Sequence, residues 1–88
     1  MKILKFGAVW CPGCVIMRPR WKEIESELPW LKTEYYDFDN DKKQAEDHGV
    51  SALPTFIFLD DNGTELARLT GEIEKKELLE VINANKDR

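Results

Sequence analysis

The sequence predicts an α/β domain: one four-stranded mixed sheet with helices on both faces, in the order βαβαββα. Two observations carry that expectation. Short apolar or β-rich runs alternate with stretches of three- and four-residue periodicity, so strands alternate with helices. The strand pairs also differ in their connections. A helix separates the first two strands, which makes them parallel, whereas a turn containing Asn62-Gly63 joins the last two as an antiparallel hairpin.

The first strand is placed at residues 2–9, where Ile3, Leu4, Phe6, Ala8 and Val9 form a mostly apolar run. A helix is expected from about residue 12 to 28. Pro12 suits its first position, and Met17, Trp21, Ile24 and Leu28 repeat at helical spacing as its inward stripe. Pro19 lies inside this helix and cannot donate to the carbonyl of Val15, so a kink is expected there. Pro29 marks the helix end. Thr33 to Asp39 reads as the second strand, with Tyr36 and Phe38 on one side and Tyr35, Asp37 and Asp39 on the other.

A short helix follows from Lys42 to His48. Asp41 is its expected N-cap, with Gln44 three residues later, and Gly49 ends it. Val50 to Leu53 is a loop closing on Pro54. Thr55 to Leu59 is a strongly apolar strand, Asp60 to Gly63 the hairpin turn, and Thr64 to Leu69 the partner strand. After Gly71, residues 74–85 form the last helix with Leu78, Leu79 and Ile82 inward. No repeat, low-complexity segment or long linker interrupts this order, so residues 1–88 are expected to be a single domain.

Totals narrow the function. The chain has 88 residues, 42% hydrophobic and 34% charged, an ordinary soluble composition. A net charge of −4 argues against nucleic acid or an anionic membrane as the main partner. No apolar run approaches the roughly 20 residues of a membrane span. The Met1–Phe6 segment lacks the long apolar core of a signal peptide, so a cytoplasmic location is expected. Two cysteines are too few for a disulfide scaffold. In such a chain a close pair points to redox chemistry or metal binding.

That pair lies in Trp10-Cys11-Pro12-Gly13-Cys14, at the junction of a strand and a helix. Cys11 is expected at the N-cap and Cys14 one turn later on the same face. The unpaired N–H groups and dipole of a helix start favour negative charge, so a thiol there ionises more readily. The thiolate is the form that attacks disulfides, and a second sulfur within reach allows the pair to cycle between dithiol and disulfide. Zinc would want four ligands, and this chain offers two cysteines and a distant His48, so no metal site is expected within one chain. Asp37, Asp39 and Asp41 lack the downstream glycine and glutamate spacing of a calcium loop. His48 reads as a helix-end side chain, Trp21 as core, and Trp30 as a loop residue at the core edge.

Beyond these readings, the residues resemble the thioredoxin family over nearly the whole chain. Trp10-Cys11-Pro12-Gly13-Cys14 is similar to the family's Trp-Cys-x-x-Cys active site, and Pro19 to the proline of its active-site helix. Leu53-Pro54-Thr55 resembles the cis-proline segment, Asn62-Gly63 the hairpin turn, and Gly71 the glycine beside the active site. The resemblance implies a thioredoxin fold without the N-terminal strand and helix of full-length members, as in compact, glutaredoxin-sized relatives. One sheet edge would then lean on charges such as Lys32 and Glu34 for protection.

The resemblance further implies a thiol–disulfide oxidoreductase with Cys11 as the more exposed nucleophile and Cys14 as the buried resolving thiol. Trp10 would shield one side, and Leu53, Pro54 and Gly71 would form the substrate-binding rim. No cofactor is implied beyond a Cys11–Cys14 disulfide. The implied partners are protein disulfide substrates and a thioredoxin-reductase-like electron donor, with the chain acting as a monomer. The alternatives are a non-redox binding module of the same fold and a donor dedicated to one reductase enzyme.

Three departures from the pattern bear on chemistry. The dipeptide between the cysteines is Pro12-Gly13 where thioredoxins usually carry Gly-Pro. Cys-x-x-Cys proteins span about −270 to −120 mV, roughly 7 kcal/mol of tuning range. Lys5 stands where the family has a buried aspartate, and Tyr35 where it has that aspartate's lysine partner. An ammonium at Lys5 that faced the sulfurs would favour thiolate. The glutathione-binding features of glutaredoxins are absent, so poor glutathione specificity is expected.

Overall fold

A computed structural model describes residues 1–87. Its elements run β1 (Lys2–Gly7), α1 (Pro12–Glu27), β2 (Lys32–Asp37), α2 (Lys42–Asp47), β3 (Thr55–Leu59), β4 (Glu65–Thr70) and α3 (Lys75–Asn85). The sheet order is β2-β1-β3-β4. β1 pairs parallel with β2 and antiparallel with β3, and β3 pairs antiparallel with β4. The mixed sheet and the βαβαββα order are those expected from the sequence.

Alternation along the central strands builds two apolar layers. Ile3, Phe56 and Phe58 face α1 and α3, where they meet Met17, Trp21, Ile24, Leu78 and Ile82. Leu4, Phe6 and Ile57 face the other way, against Ala45 of α2 and Val50. Leu79 packs at the margin of the first layer. Leu31, after the Pro29 turn, is buried at its edge, while Trp30 stays exposed.

Several boundaries shift for physical reasons. β1 stops at Gly7, and Val9, expected inside the strand, is 77% exposed. β2 stops at Asp37 because the Asp37 carbonyl and carboxylate both turn to accept the N–H groups that follow. Asp41 precedes α2 but makes no capping hydrogen bond. Its carboxylate instead accepts the Asp37 N–H at 2.8 Å, so the expected Asp41–Gln44 capping box does not form.

The β3–β4 turn falls at Asp60 to Gly63 as expected, though not as a two-residue type I′ turn. Among the described residues no non-glycine residue has positive φ, so Asn62 cannot join a type I′ turn. Asp60 instead closes a longer loop: its carboxylate accepts from Asn62 and Thr64, and only Gly63, at φ +86°, is left-handed. Helix α1 runs through Pro19, which lies on its exposed side.

Candidate active site

The loop from Ala8 to Cys11 delivers the cysteines to the start of α1. Cys11 adopts extended backbone angles (φ −90°, ψ 113°) as N-cap, and Pro12 opens the helix. The Cys11 Sγ accepts the Cys14 N–H at 3.2 Å, so the sulfur does the work an N-cap oxygen usually does. Both cysteines are free thiols. They pack with Ala8, against Phe38 and Leu53.

Exposure does not separate the two sulfurs as expected. Cys11 is 5% exposed and Cys14 7%, so both are buried. Their hydrogen bonding separates them. Cys11 holds a backbone N–H at the positive end of α1. Burial pushes the Cys14 thiol up to about 11, and its hydrogen bond to Cys11 adds to the rise. A backbone hydrogen bond at Ala8 and the Arg18 guanidinium pull it partly back. Cys14 therefore stays protonated near neutrality and must lose a proton to react.

Around Cys11 lies a rim built largely from backbone. The Leu53–Pro54 peptide is cis. Pro54 packs so close to α1 that a Cβ on Gly13 would sit a tight 3.1 Å from its Cδ. The Pro54 carbonyl accepts the Gly71 N–H at 2.8 Å, and Gly71 sits at φ +99°, a conformation glycine adopts freely. Thr55 is anchored to Ala52 O at 2.7 Å, fixing the segment from below. Trp10 is 61% exposed, and its indole N–H donates to Asp39 at 2.7 Å. Val9 and Val15 are exposed as well.

Behind Cys14 is a different environment, a cavity of about 340 Å³. Lys5, Arg18, Trp21, Tyr35 and Asp37 share its wall with Cys14. The Lys5 ammonium is committed elsewhere and does not act on the thiols. It pairs with Glu25 at 2.5 Å and lies over the Trp21 ring, and the cation that acts on Cys14 is Arg18. Thr33 Oγ1 gives Glu25 a second hydrogen bond.

Gly7 is a site residue that sequence reasoning missed. A Cβ there would meet Tyr35 Oη at 3.1 Å and Cys14 Sγ at 3.2 Å, so the phenol and the thiol both border the gap it leaves. Gly7 carries no motif of its own; the only available signal was a glycine at the end of an apolar strand. His48, as expected, ends a helix, but it also packs on Phe6. Among the described residues, no group of three or more His, Cys, Asp or Glu side chains is arranged to hold a metal ion. No helix among them is long and apolar enough to cross a membrane.

Comparison with known proteins agrees with this geometry. The thioredoxin family model matches residues 1–84. A thioredoxin of Chlamydia pneumoniae is 35% identical over 81 residues, spanning 92% of this chain and 78% of that one. An H-type thioredoxin of Fagopyrum esculentum is 34% identical over 80 residues, spanning 91% and 67%. Among solved structures, the thioredoxin of Fasciola hepatica superposes with a TM-score of 0.87 at 30% identity, covering 94% of this chain and 78% of that one. NaTrxh, a thioredoxin of Nicotiana alata, superposes at 0.88 and 30% identity, covering 94% and 70%. With a capped Cys-x-x-Cys pair, a cis-proline beside it and relatives matched over most of its length, the chain belongs to the thioredoxin family of thiol–disulfide oxidoreductases.

Proposed function

We propose that the chain reduces protein disulfides through a Cys11/Cys14 dithiol–disulfide cycle. The observation that carries this reading is the Cys14 N–H held on Cys11 Sγ at the start of α1. It offers charge stabilisation to a thiolate at Cys11, at the positive end of the helix. Cys11 attacks the substrate disulfide, and one substrate sulfur leaves with a proton. Cys14 then attacks Cys11, the second substrate sulfur leaves, and the pair ends as a disulfide.

The substrate strand docks against the backbone of Leu53, whose N–H and C=O make no hydrogen bond among the described residues. Trp10, Pro54 and Gly71 border that strand. Electrons return from a thioredoxin-reductase-like donor, and no further cofactor takes part. We place this activity in the cytoplasm, in a monomer acting as one domain.

The test is reduction of a protein disulfide such as those of insulin, with a dithiol as electron source. Cys11→Ser is expected to lose at least a hundredfold in rate. Cys14→Ser is expected to accumulate mixed disulfides, and their diversity separates a general reductase from a donor dedicated to one enzyme. Activity retained by Cys11→Ser would overturn the nucleophile assignment. A parent that forms no intramolecular disulfide would overturn the redox reading. Its potential, titrated against thiol buffers, gives the direction: near about −270 mV for a reductase, −180 to −120 mV for an oxidant or isomerase.

A further inference from the structure

The cycle above needs Cys14 to give up a proton, and a thiol buried this deeply does not do so unaided. The charged and titratable groups on the cavity wall behind it are few. β1 contributes Lys5, α1 contributes Arg18 and Cys14 itself, and β2 contributes Tyr35 and Asp37. Pro54 and Phe56, before and within β3, present only apolar surface.

Lys5 is a cation and already paired with Glu25. Glu25 is held by Lys5 and Thr33 and is not part of the cavity wall. Arg18 is permanently charged and has no lone pair to offer. That leaves the two groups of β2. Tyr35 Oη and Cys14 Sγ both border the space beside the Gly7 Cα. Asp37 accepts the Asp39 and Asn40 N–H groups on Oδ1, at 2.9 and 3.2 Å, and its Oδ2 has no hydrogen-bond partner among the described residues. The carboxylate is thus held in place by one oxygen with the other available.

We infer that Tyr35 and Asp37 form the proton-accepting pair for Cys14, with the Tyr35 hydroxyl linking the thiol to the Asp37 carboxylate through the cavity. This inference rests on the redox reading above. At about 340 Å³ the cavity has room for several waters, each taking about 30 Å³ in the liquid, to complete the link.

In the step itself the Cys14 S–H bond breaks, and its proton passes to the Tyr35–Asp37 pair. The freed electron pair forms the Cys14–Cys11 bond while the bond from Cys11 to the substrate sulfur breaks. The substrate leaves as a thiolate that takes a proton from solvent, and Asp37 returns its proton to solvent. The substrate disulfide has gained two electrons and the cysteine pair has lost two. In the mixed disulfide Cys11 carries no charge, so its opposition to a Cys14 thiolate is relieved when the transfer is needed. Arg18, one turn along α1, favours the developing thiolate from the same wall.

The experiment is stopped-flow reaction of the fully reduced protein with 5,5′-dithiobis(2-nitrobenzoate), which releases two chromophores in sequence. The first reports Cys11 attack and the second Cys14 resolution. The readout is the ratio of second to first rate constant, across pH 6–9. Asp37→Asn and Tyr35→Phe are each expected to lower that ratio more than fivefold at pH 7. Each is also expected to make the second phase climb in proportion to hydroxide where the parent's is flatter. A smaller change in either variant overturns the inference. If Asp37→Asn does not fold, Tyr35→Phe decides alone, since it removes one oxygen from a half-exposed ring. A parent with no second release would instead sink the redox reading itself, so the two failures are distinguishable.

Discussion

The two sides of the cysteine pair are built on different principles. The outer side, toward Cys11, is made of backbone: a capped helix start, a cis-proline, a left-handed Gly71 and Leu53 peptide groups with no hydrogen bond among the described residues. The inner side, toward Cys14, is made of side chains around a cavity: Lys5 on Glu25, Trp21 beneath it, and Tyr35 on the same wall as the thiol. A backbone rim accepts many substrate sequences, because main-chain hydrogen bonds do not read side chains. A side-chain cavity sets the energetics of one thiol and can be rebuilt without touching the rim.

The largest expected effect tests whether the inner thiol is as costly to ionise as its surroundings imply. Its value is raised in the folded protein, to about 11 from an ordinary 9.0. A raised acid contributes stability that is fully present below the unfolded value and lost as pH rises through the folded one. Reduced protein is therefore expected to lose about 2 kcal/mol of unfolding free energy between pH 9 and 11. Cys14→Ser should not show that loss, as read by urea titration at each pH. Equal alkaline losses in both proteins would mean the inner side is no drier than the outer.

The Lys5–Glu25 pair comes next. Its side chains are 16% and 32% exposed, so removing one partner leaves the other short of compensation but not without water. Glu25→Gln is expected to cost about 1–2 kcal/mol, below the range for fully buried pairs. Lys5→Met, which removes the charge that needs a partner, should recover part of that loss when added to Glu25→Gln. Additive losses would show that the two side chains do not support each other.

Gly7→Ala is expected to be smaller. The new Cβ presses on Tyr35 and Cys14, an overpacking that costs about 1–3 kcal/mol, while alanine gains about 0.5–1 kcal/mol over glycine in a strand. The net loss should be near 1 kcal/mol and should largely vanish in a Tyr35→Ala background. Persistence there would place the clash on Cys14 alone.

The same contrast explains what was legible in the sequence. The outer side follows from local chemistry. A proline after a cysteine at a strand end gives a helix start, and a glycine before a helix gives a left-handed turn. The sheet was legible for a similar reason, since the apolar runs at 3–6 and 55–59 each mark a buried strand. The inner side depends on residues distant in the chain. Lys5 and Glu25 are twenty positions apart and nothing local announces their contact. Gly7 matters only because β1–β2 pairing sets Lys5 opposite Tyr35 and Gly7 opposite Asp37. Val9 misled because apolar character was taken for burial, whereas it is exposed beyond the end of β1. Asp41 misled because its carboxylate had a second acceptor role, closing the turn at Asp37, that competed with capping.

The smallest expected effect lies on the outer side. Trp10 is exposed, and its one polar anchor is the hydrogen bond to Asp39 at 2.7 Å. Trp10→Phe removes that bond while keeping an aromatic face. Water replaces the bond for both partners, so the expected stability loss is about 0.5 kcal/mol. If the indole holds the rim in shape, its loss should raise KM for a protein disulfide about two- to threefold and leave kcat alone. Reaction with a small disulfide, which makes no use of the rim, should be unchanged. Asp39→Ala should reproduce the KM effect, because it removes the same bond from the other end. A change in kcat, or an equal effect on the small disulfide, would place Trp10 on the chemistry rather than the docking. The division between a backbone rim and a side-chain cavity would then fail at its outer edge.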